Sequence, residues 1–338
     1  MSDEDDAGPQ TDGSPDPVVP AVEVRDLIRD FRVSRRTGLW RRTRVNVRAV
    51  DGISFTIRPG EAIGYIGANG AGKSTTIKLL TGILRPTSGL VRTCALKPVP
   101  NRTHLARRIG VVFGQRSQLW WDLPLAESLR ILAAIHRLDE DRWHARRDEL
   151  AERLDLGAFL QTPVRQLSLG QRMRGEIAAA LLHEPELVVL DEPTVGLDVV
   201  SKERLRQFLR TEHAEHGRTI LLTTHDMGDV EHLCDRLLVV DRGRLAYDGS
   251  LGGLVDRAGA ERVLVVDLAE PNRRLNDVPG TQLISTEAGG LRQRLSFAPG
   301  ATTAAQVLAE VASRVQVRDL TIEEPDIEDV VRRLYASF

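Results

Sequence analysis

"EAIGYIGANGAGKSTTIKLLTG", residues 61–82, joins a short apolar run to a helix-forming run through a glycine-rich loop. Its central nine residues, Gly67–Thr75, fit the phosphate-binding pattern G-x-x-x-x-G-K-[ST], and they stand where that pattern needs to be, between a strand and a helix. Glycines let backbone N–H groups turn inward around phosphate oxygens. Gly67, Asn69, Gly70, Ala71 and Gly72 are therefore expected to line a nucleotide phosphate chain. Lys73 supplies a point charge to the β- and γ-phosphates, Ser74 a ligand to Mg²⁺, and Thr75 a hydroxyl near the α-phosphate.

Three further runs end in polar residues after apolar strands. "ELVVLDEP", 186–193, places two carboxylates at the end of a strand buried on both faces. Asp191 is expected to hold Mg²⁺, and Glu192 to orient and deprotonate an attacking water. "GVVFGQ", 110–115, ends in Gln115, a neutral group able to reach both metal and water. "LLTTHD", 221–226, ends in His225, a candidate contact for the γ-phosphate.

"RQLSLGQRMRGEIAAALLHEP", 165–185, is a second helix with a polar, glycine-containing start at Ser168 and Gly170. Its apolar stripe is Met173, Ile177, Leu181 and Leu182, and Pro185 stops it. Such a start is an anion site, which raises the question of which anion a second site serves.

The rest of the chain bounds the class. Its 338 residues suffice for two domains, and 41% hydrophobic with 28% charged content is ordinary for a globular protein. No apolar run reaches the 18 residues that a membrane span needs, and the acidic N-terminus does not read as a secretory signal. Residues 1–20 hold six acids and no lysine or arginine and read as a disordered tail. The remainder sets 46 Lys and Arg against 42 acids, a net +4, too mild to argue for nucleic-acid binding. Cys94 and Cys234 read as reduced and structural, His213 and His216 as solvated.

Strands are predicted at 21–25, 45–57, 61–66, 109–113, 187–190, 219–223 and 236–240, and helices at 73–82, 125–136, 145–154, 170–183, 201–215 and 226–232. This alternation over 21–255 predicts an α/β fold with a mostly parallel sheet, and "VVDRGRLAYDG", 239–249, a hairpin turning at Asp241–Gly243. From 256 to 338 the texture becomes a small α+β appendage. Strands are predicted in "RVLVVDL", "LRQRLSF" and "QVRDLTI", and a helix in "TTAAQVLAEVASRV". A last amphipathic helix, "EEPDIEDVVRRLY", carries Ile327, Val330, Val331 and Leu334 on one face. "SRRTGLWRRTR", 34–44, is either a solvated insertion in a hairpin or a patch for lipid headgroups or a partner.

The phosphate loop, Gln115, "LSLGQ", "LVVLDEP", "GLD" and His225, in this order and spacing, resemble the nucleotide-binding subunit of ABC transporters over roughly 21–255. "QRSQLWWDLP" and the C-terminal appendage are more narrowly similar to ATPase subunits of bacterial ABC-2-type exporters of drugs, antibiotics or viologens. The resemblance implies a P-loop NTPase with a helical subdomain at about 115–185. It also implies an ATPase using ATP and Mg²⁺, a head-to-tail homodimer and separate integral-membrane permease subunits. The place of work would be the cytoplasmic face of the cell membrane. By this likeness Ser168, Gly170 and Gln171 touch the γ-phosphate held by the partner chain, Asp198 serves cross-dimer communication, and Phe31 stacks on adenine, with Trp40 and ordinary core packing as competing readings. Leu169 stands where the family usually has glycine, so either phosphate contact persists through the backbone or docking changes. The rivals are an ABC ATPase acting on ribosomes or DNA, whose second cassette, long coiled coils or zinc ligands this sequence does not show, and a P-loop kinase, which would leave "LSLGQ" and His225 without work; no nucleic-acid partner is expected.

Overall fold

The computed structural model describes residues 19–36, 42–114, 116–257, 259, 261–271, 275–298, 301–323 and 330. The acidic tail to residue 18, Gln115, Trp40, and the C-terminal helix apart from Val330 lie outside them.

The chain opens with a long antiparallel pair, β1 (Val22–Arg36) and β2 (Arg42–Ile57), followed by β3 (Ala62–Gly67) and α1 (Lys73–Leu80). Next come β4 (Ser88–Thr93), α2 (Arg102–Ala106) and β5 (Ile109–Phe113). A helical layer follows: α3 (Leu125–His136), α4 (Glu140–Arg153) and α5 (Leu169–Leu181). The chain then alternates through β6 (Leu187–Asp191), α6 (Val199–His216), β7 (Thr219–Thr223), α7 (Met227–Leu233), β8 (Arg236–Asp241) and β9 (Arg244–Gly249). After α8 (Leu251–Arg257) come β10 (Arg262–Leu268), β11 (Thr281–Glu287), β12 (Arg292–Phe297), α9 (Ala304–Arg314) and β13 (Val317–Glu323).

The main sheet has the order β5-β6-β7-β3-β8-β9, parallel except for the β8–β9 hairpin. That hairpin turns at Arg242 and Gly243, both at positive φ (45° and 81°), as a two-residue hairpin turn requires. In the parallel strands every residue of β3 is buried, and β6 and β7 are buried through their cores, which explains their unbroken apolar runs. One core cluster packs α3, α4 and α5 with α6 on one face of the sheet, around Leu129, Ile177 and Leu190. A second packs α1 and the antiparallel sheet β2-β1-β4 on the other, around Ile53, Ile77 and Val189. The helical layer is pinned to α6 by a buried ion pair, Arg146 to Glu212 at 2.8 Å.

The first strand is three times the predicted length. Its outer half reads as polar because that half lies at the surface, where Arg48 pairs with Asp30 at 2.9 Å, and register shifts after Val24, Leu27 and Arg29 break its alternation. α4 and α6 each start earlier than predicted, one capped by Asp139 and the other by Asp198. β4, β11, α2 and α8 are short elements that the sequence pattern did not signal.

The C-terminal appendage forms an antiparallel sheet, β11-β12-β10-β13, with its own cluster of Leu264, Val266, Leu295 and Phe297 against Val307 and Val311 of α9. Val330, from the predicted last helix, is buried instead with Ile66, Val230, Leu237 and Leu254.

Candidate functional site

The sheet register gathers the predicted residues at one edge. Phe113, Asp191 and Thr223 are aligned across β5, β6 and β7, and β3 beside them ends at Gly67. The residues that follow these four ends therefore face one crevice, as nucleotide sites in such sheets do.

The phosphate loop is open at the helix it feeds. Gly72, the N-cap of α1, has φ +105° and makes no side-chain cap hydrogen bond. The first-turn amides of Lys73, Ser74 and Thr75 have no acceptor within the helix by its geometry. A Cβ on Gly72 would lie 2.4 Å from the Ala49 carbonyl oxygen, so close backbone approach excludes any larger residue. Lys73 is only 7% exposed, and its ammonium donates to the Gly67 and Ala68 carbonyls. Burial holds it below the ordinary lysine range against the upward pull of Glu192 and Asp191. A buried ammonium resting on neutral carbonyls beside open amides is a receptor for an anion, and a nucleotide phosphate chain fits it.

Asp191 is oriented by Thr223, whose hydroxyl donates to its Oδ1 at 2.6 Å. Its other oxygen and the exposed Ser74 hydroxyl are donors of the hard-oxygen type that Mg²⁺ prefers. Glu192 takes a left-handed backbone, φ 56°, and its N–H donates to the Thr223 carbonyl at 2.9 Å. His225 Nε2 lies 2.7 Å from Glu192 Oε1. The two catalytic candidates are thus joined directly, which neither motif states by itself. Gln115, the third strand-end candidate, lies outside the described residues.

Behind this pair, a network that sequence reading did not find fastens the loops. Asp229, fully buried on α7, accepts from Thr194 and from Thr224 at 2.9 Å, and pairs with Arg206 of α6 at 2.7 Å. Asp226 pairs with Lys202 at 2.6 Å. In the sequence Asp229 reads as one more charged residue on a surface helix, so no signal there points to the network.

The remaining candidates are placed separately. Ser168 N-caps α5 in a reciprocal capping box: its Oγ accepts from Gln171 N–H at 3.2 Å, and Gln171 Oε1 accepts from Ser168 N–H at 2.9 Å. Among the described residues, no hydrogen bond or ion pair joins Ser168, Gly170 or Gln171 to the phosphate loop. Leu169, 41% exposed, covers Gly196, where a Cβ would lie 2.2 Å from its Cδ2. Asp198 caps α6, accepting from Ser201 N–H at 2.9 Å and Ser201 Oγ at 2.7 Å, and these bonds hold its carboxyl below the usual range. Phe31 lies on β1 under the Arg29 guanidinium, 4.6 Å from the ring centre, in a cleft of about 530 Å³ with Asn46 and Thr87. Glu149, Glu212 and His216 group closely enough for a metal, but Arg146 and Arg218 already hold Glu212. His216 itself is exposed, its Nε2 3.7 Å from Glu212 Oε1. Cys94 and Cys234 are both free, as expected.

No helix among the described residues is long and apolar enough to cross a membrane. The ABC transporter family profile matches residues 50–195. The chain is 33% identical over 215 residues to the ABC transporter ATP-binding protein NatA of Bacillus subtilis, covering 64% of this chain and 87% of NatA. It is 39% identical over 208 residues to the Nod factor export ATP-binding protein I of Burkholderia lata, covering 61% and 67%. Of solved structures, an ATP-binding subunit of an ABC transporter superposes with a TM-score of 0.60 at 28% identity, covering 71% of this chain and 93% of that one. The cbiO1 protein of Clostridium perfringens, part of the ABC transporter complex cbiONQ, does so with 0.56 at 30% identity, covering 68% and 88%. With the strand ends gathered beside the phosphate loop and these relatives matching, the chain belongs to the ATP-binding proteins of the ABC transporter family.

Proposed function

We propose that this chain is the ATP-hydrolysing subunit of an exporter, working as a head-to-tail homodimer on a separate membrane permease. The observation that carries the hydrolytic part of this reading is the 2.7 Å contact of His225 with Glu192 at the strand ends beside the phosphate loop. Glu192 is the general base: its carboxylate orients a water and takes its proton. His225, sharing its ring N–H with Glu192 Oε1, holds that carboxylate in place and lies within reach of the γ-phosphate. Lys73 and the first-turn amides of α1 bind the β- and γ-phosphates. Ser74 and Asp191, with Gln115, would hold Mg²⁺, which would supply charge neutralisation at the phosphates. Phe31 offers its ring to the adenine, with Arg29 backing one face.

The second anion site answers to the same nucleotide chemistry. Ser168, Gly170 and Gln171 contact the γ-phosphate bound by the other copy, and Asp198 lies at the same junction. Each nucleotide then needs both chains, and a two-fold dimer closes with two equivalent sites. Bound ATP shifts an open–closed equilibrium, and moving it from 1:99 to 99:1 takes about 5.5 kcal/mol. The exposed apolar side chains Leu169, Val195, Val199 and Val200 cluster around these residues and suit burial against a second copy. Export, peripheral placement on the cytoplasmic membrane face and the permease partner rest on the relatives: one is named for Nod factor export, and cbiO1 is described as part of a transporter complex. Residues 1–20 are read as a tail, 21–255 as the nucleotide-binding domain with its helical subdomain at about 115–185, and 256–338 as an accessory domain.

The test is the solution mass of Glu192→Gln with and without ATP and Mg²⁺, repeated with Ser168→Arg added. ATP is expected to convert monomer to dimer, and the arginine to abolish the conversion. A chain that binds ATP yet stays monomeric in both would defeat the self-sufficient homodimer.

A further inference from the structure

The segment "RSQLWWDLP", 116–124, has no part in the chemistry above, yet it is fastened to α5 by a buried carboxylate. Glu176 lies two turns beyond Ser168 on that helix and is 5% exposed. Its Oε1 accepts from Ser117 Oγ, and its Oε2 accepts from the Gln118 N–H at 3.2 Å. Gln118 Nε2 donates back to the Glu176 carbonyl at 3.0 Å. Next to it, Gly175 is pressed by Leu119 and Leu125: a Cβ there would lie 3.3 Å and 2.9 Å from their methyl carbons. Trp120 N–H donates to the buried Ser128 hydroxyl at 3.2 Å, and the Arg172 guanidinium sits 6.0 Å from the Trp121 ring centre.

A packing role at position 176 would call for an apolar residue. Burying an acid is a costly way to fill space, and it is repaid only by the partners it orders. Those partners are consecutive residues, Ser117 and Gln118, that lead directly away from Gln115. On the near side, Arg116 N–H donates to the carbonyl of Phe113, the last residue of β5. The chain leaving β5 is therefore held at its strand end and again on α5, with Gln115 between the two fastenings.

We propose that Glu176 is a positioning residue, which joins the loop carrying Gln115 to the helix headed by Ser168–Gln171 so that both nucleotide-contacting segments move as one piece. The inference rests on the ATPase reading above. Burial raises the Glu176 carboxyl above the usual carboxylate range, and the bonds from Ser117 and Gln118 pull it back toward the ionised form that accepts both.

The test is steady-state ATP hydrolysis by the full chain as wild type, Glu176→Ala, Glu176→Gln, Ser117→Ala and the Glu176→Ala/Ser117→Ala double variant, each with its melting temperature. Glu176→Ala should lower kcat about tenfold and leave KM for ATP within about twofold, because the phosphate loop is untouched. Glu176→Gln keeps an acceptor oxygen and should recover kcat to within about threefold of wild type. Ser117→Ala should lower kcat, and the double variant should be no slower than Glu176→Ala, since both break one link. If Glu176→Ala fails to fold, the exposed Ser117 carries the test. Wild-type kcat in Glu176→Ala or Ser117→Ala, multiplying losses in the double variant, or a kcat loss that only follows melting temperature overturns the inference. A wild-type chain that neither binds nor hydrolyses ATP overturns the ATPase reading and this inference with it; a hydrolysing wild type with an equally fast Glu176→Ala overturns this inference alone.

Discussion

Two helix starts in this molecule are built oppositely. α1 begins at Gly72, at φ +105° and without a side-chain cap, so its first amides face the crevice unclaimed by the chain. α5 begins at Ser168, where serine and Gln171 cap one another, so the Gln171 amide is already claimed while those of Leu169 and Gly170 have no acceptor within the helix. Both starts are legible in the sequence as anion sites. The first leaves its whole first turn open beside the buried Lys73 ammonium, whereas the second has one amide capped by serine. The difference suits the site between two copies proposed above, with one surface to grip the nucleotide and another to recognise it once gripped.

The largest expected effect is at the first start. Gly72→Ala puts a Cβ 2.4 Å from the Ala49 oxygen on a left-handed backbone that itself costs an alanine about 1–3 kcal/mol. ATP binding measured by equilibrium titration should be abolished, and binding at near wild-type affinity would remove the phosphate loop from the site. Next, Glu192→Gln should retain ATP binding while hydrolysis falls by about 10²–10⁴-fold, the range for a lost general base. Hydrolysis within a few-fold of wild type would return the base role to another group.

Ser168→Ala sharpens the contrast. It removes half of the capping box at a cost of about 1 kcal/mol of stability, seen as a lower unfolding midpoint. A single chain's ATP affinity should stay as it was, while ATP-driven dimerisation weakens. If affinity of the isolated chain falls instead, the second start serves the chain's own nucleotide.

The smallest effect lies at the far end of α5. Burial, with the neighbouring His136 adding to it, pushes His183 down to about 4 from an ordinary 6.5. Its Nε2 donates to the Ile109 carbonyl at 3.0 Å, and its buried Nδ1 has no partner among the described residues. The folded state thus favours the neutral ring. Between pH 6.5 and 4 the unfolded chain binds the extra proton, so stability rises with pH across this window and is lost as pH falls through it. Melting temperatures of His183→Gln should depend less on pH than wild type over that interval, and an identical dependence would assign the acid loss elsewhere.

Legibility tracks how local the physics is. Parallel strands buried on both faces announce themselves as apolar runs, and the residues ending them follow by position, so Asp191, Glu192 and His225 are legible from the order of residues alone. The outer half of β1 is not, because a surface strand with register shifts has no clean alternation. Short elements such as β4 and α2 carry too few residues for a period to show. Asp229 and Glu176 are invisible as anchors in the sequence, since a charged residue on a helix reads as solvated until its neighbours are known.

The sequence by itself determined the nucleotide chemistry of this protein. A glycine loop, a lysine and strand-end acids work through backbone geometry encoded within a few residues. Tertiary structure alone decided which side chains act together: that His225 meets Glu192, that Leu169 covers Gly196, and that a buried glutamate ties the Gln115 loop to the second helix start. Those contacts join residues 27 to 59 positions apart. Pairing of β6 with β7 brings His225 to Glu192, and packing of loops and helices brings the other two pairs together.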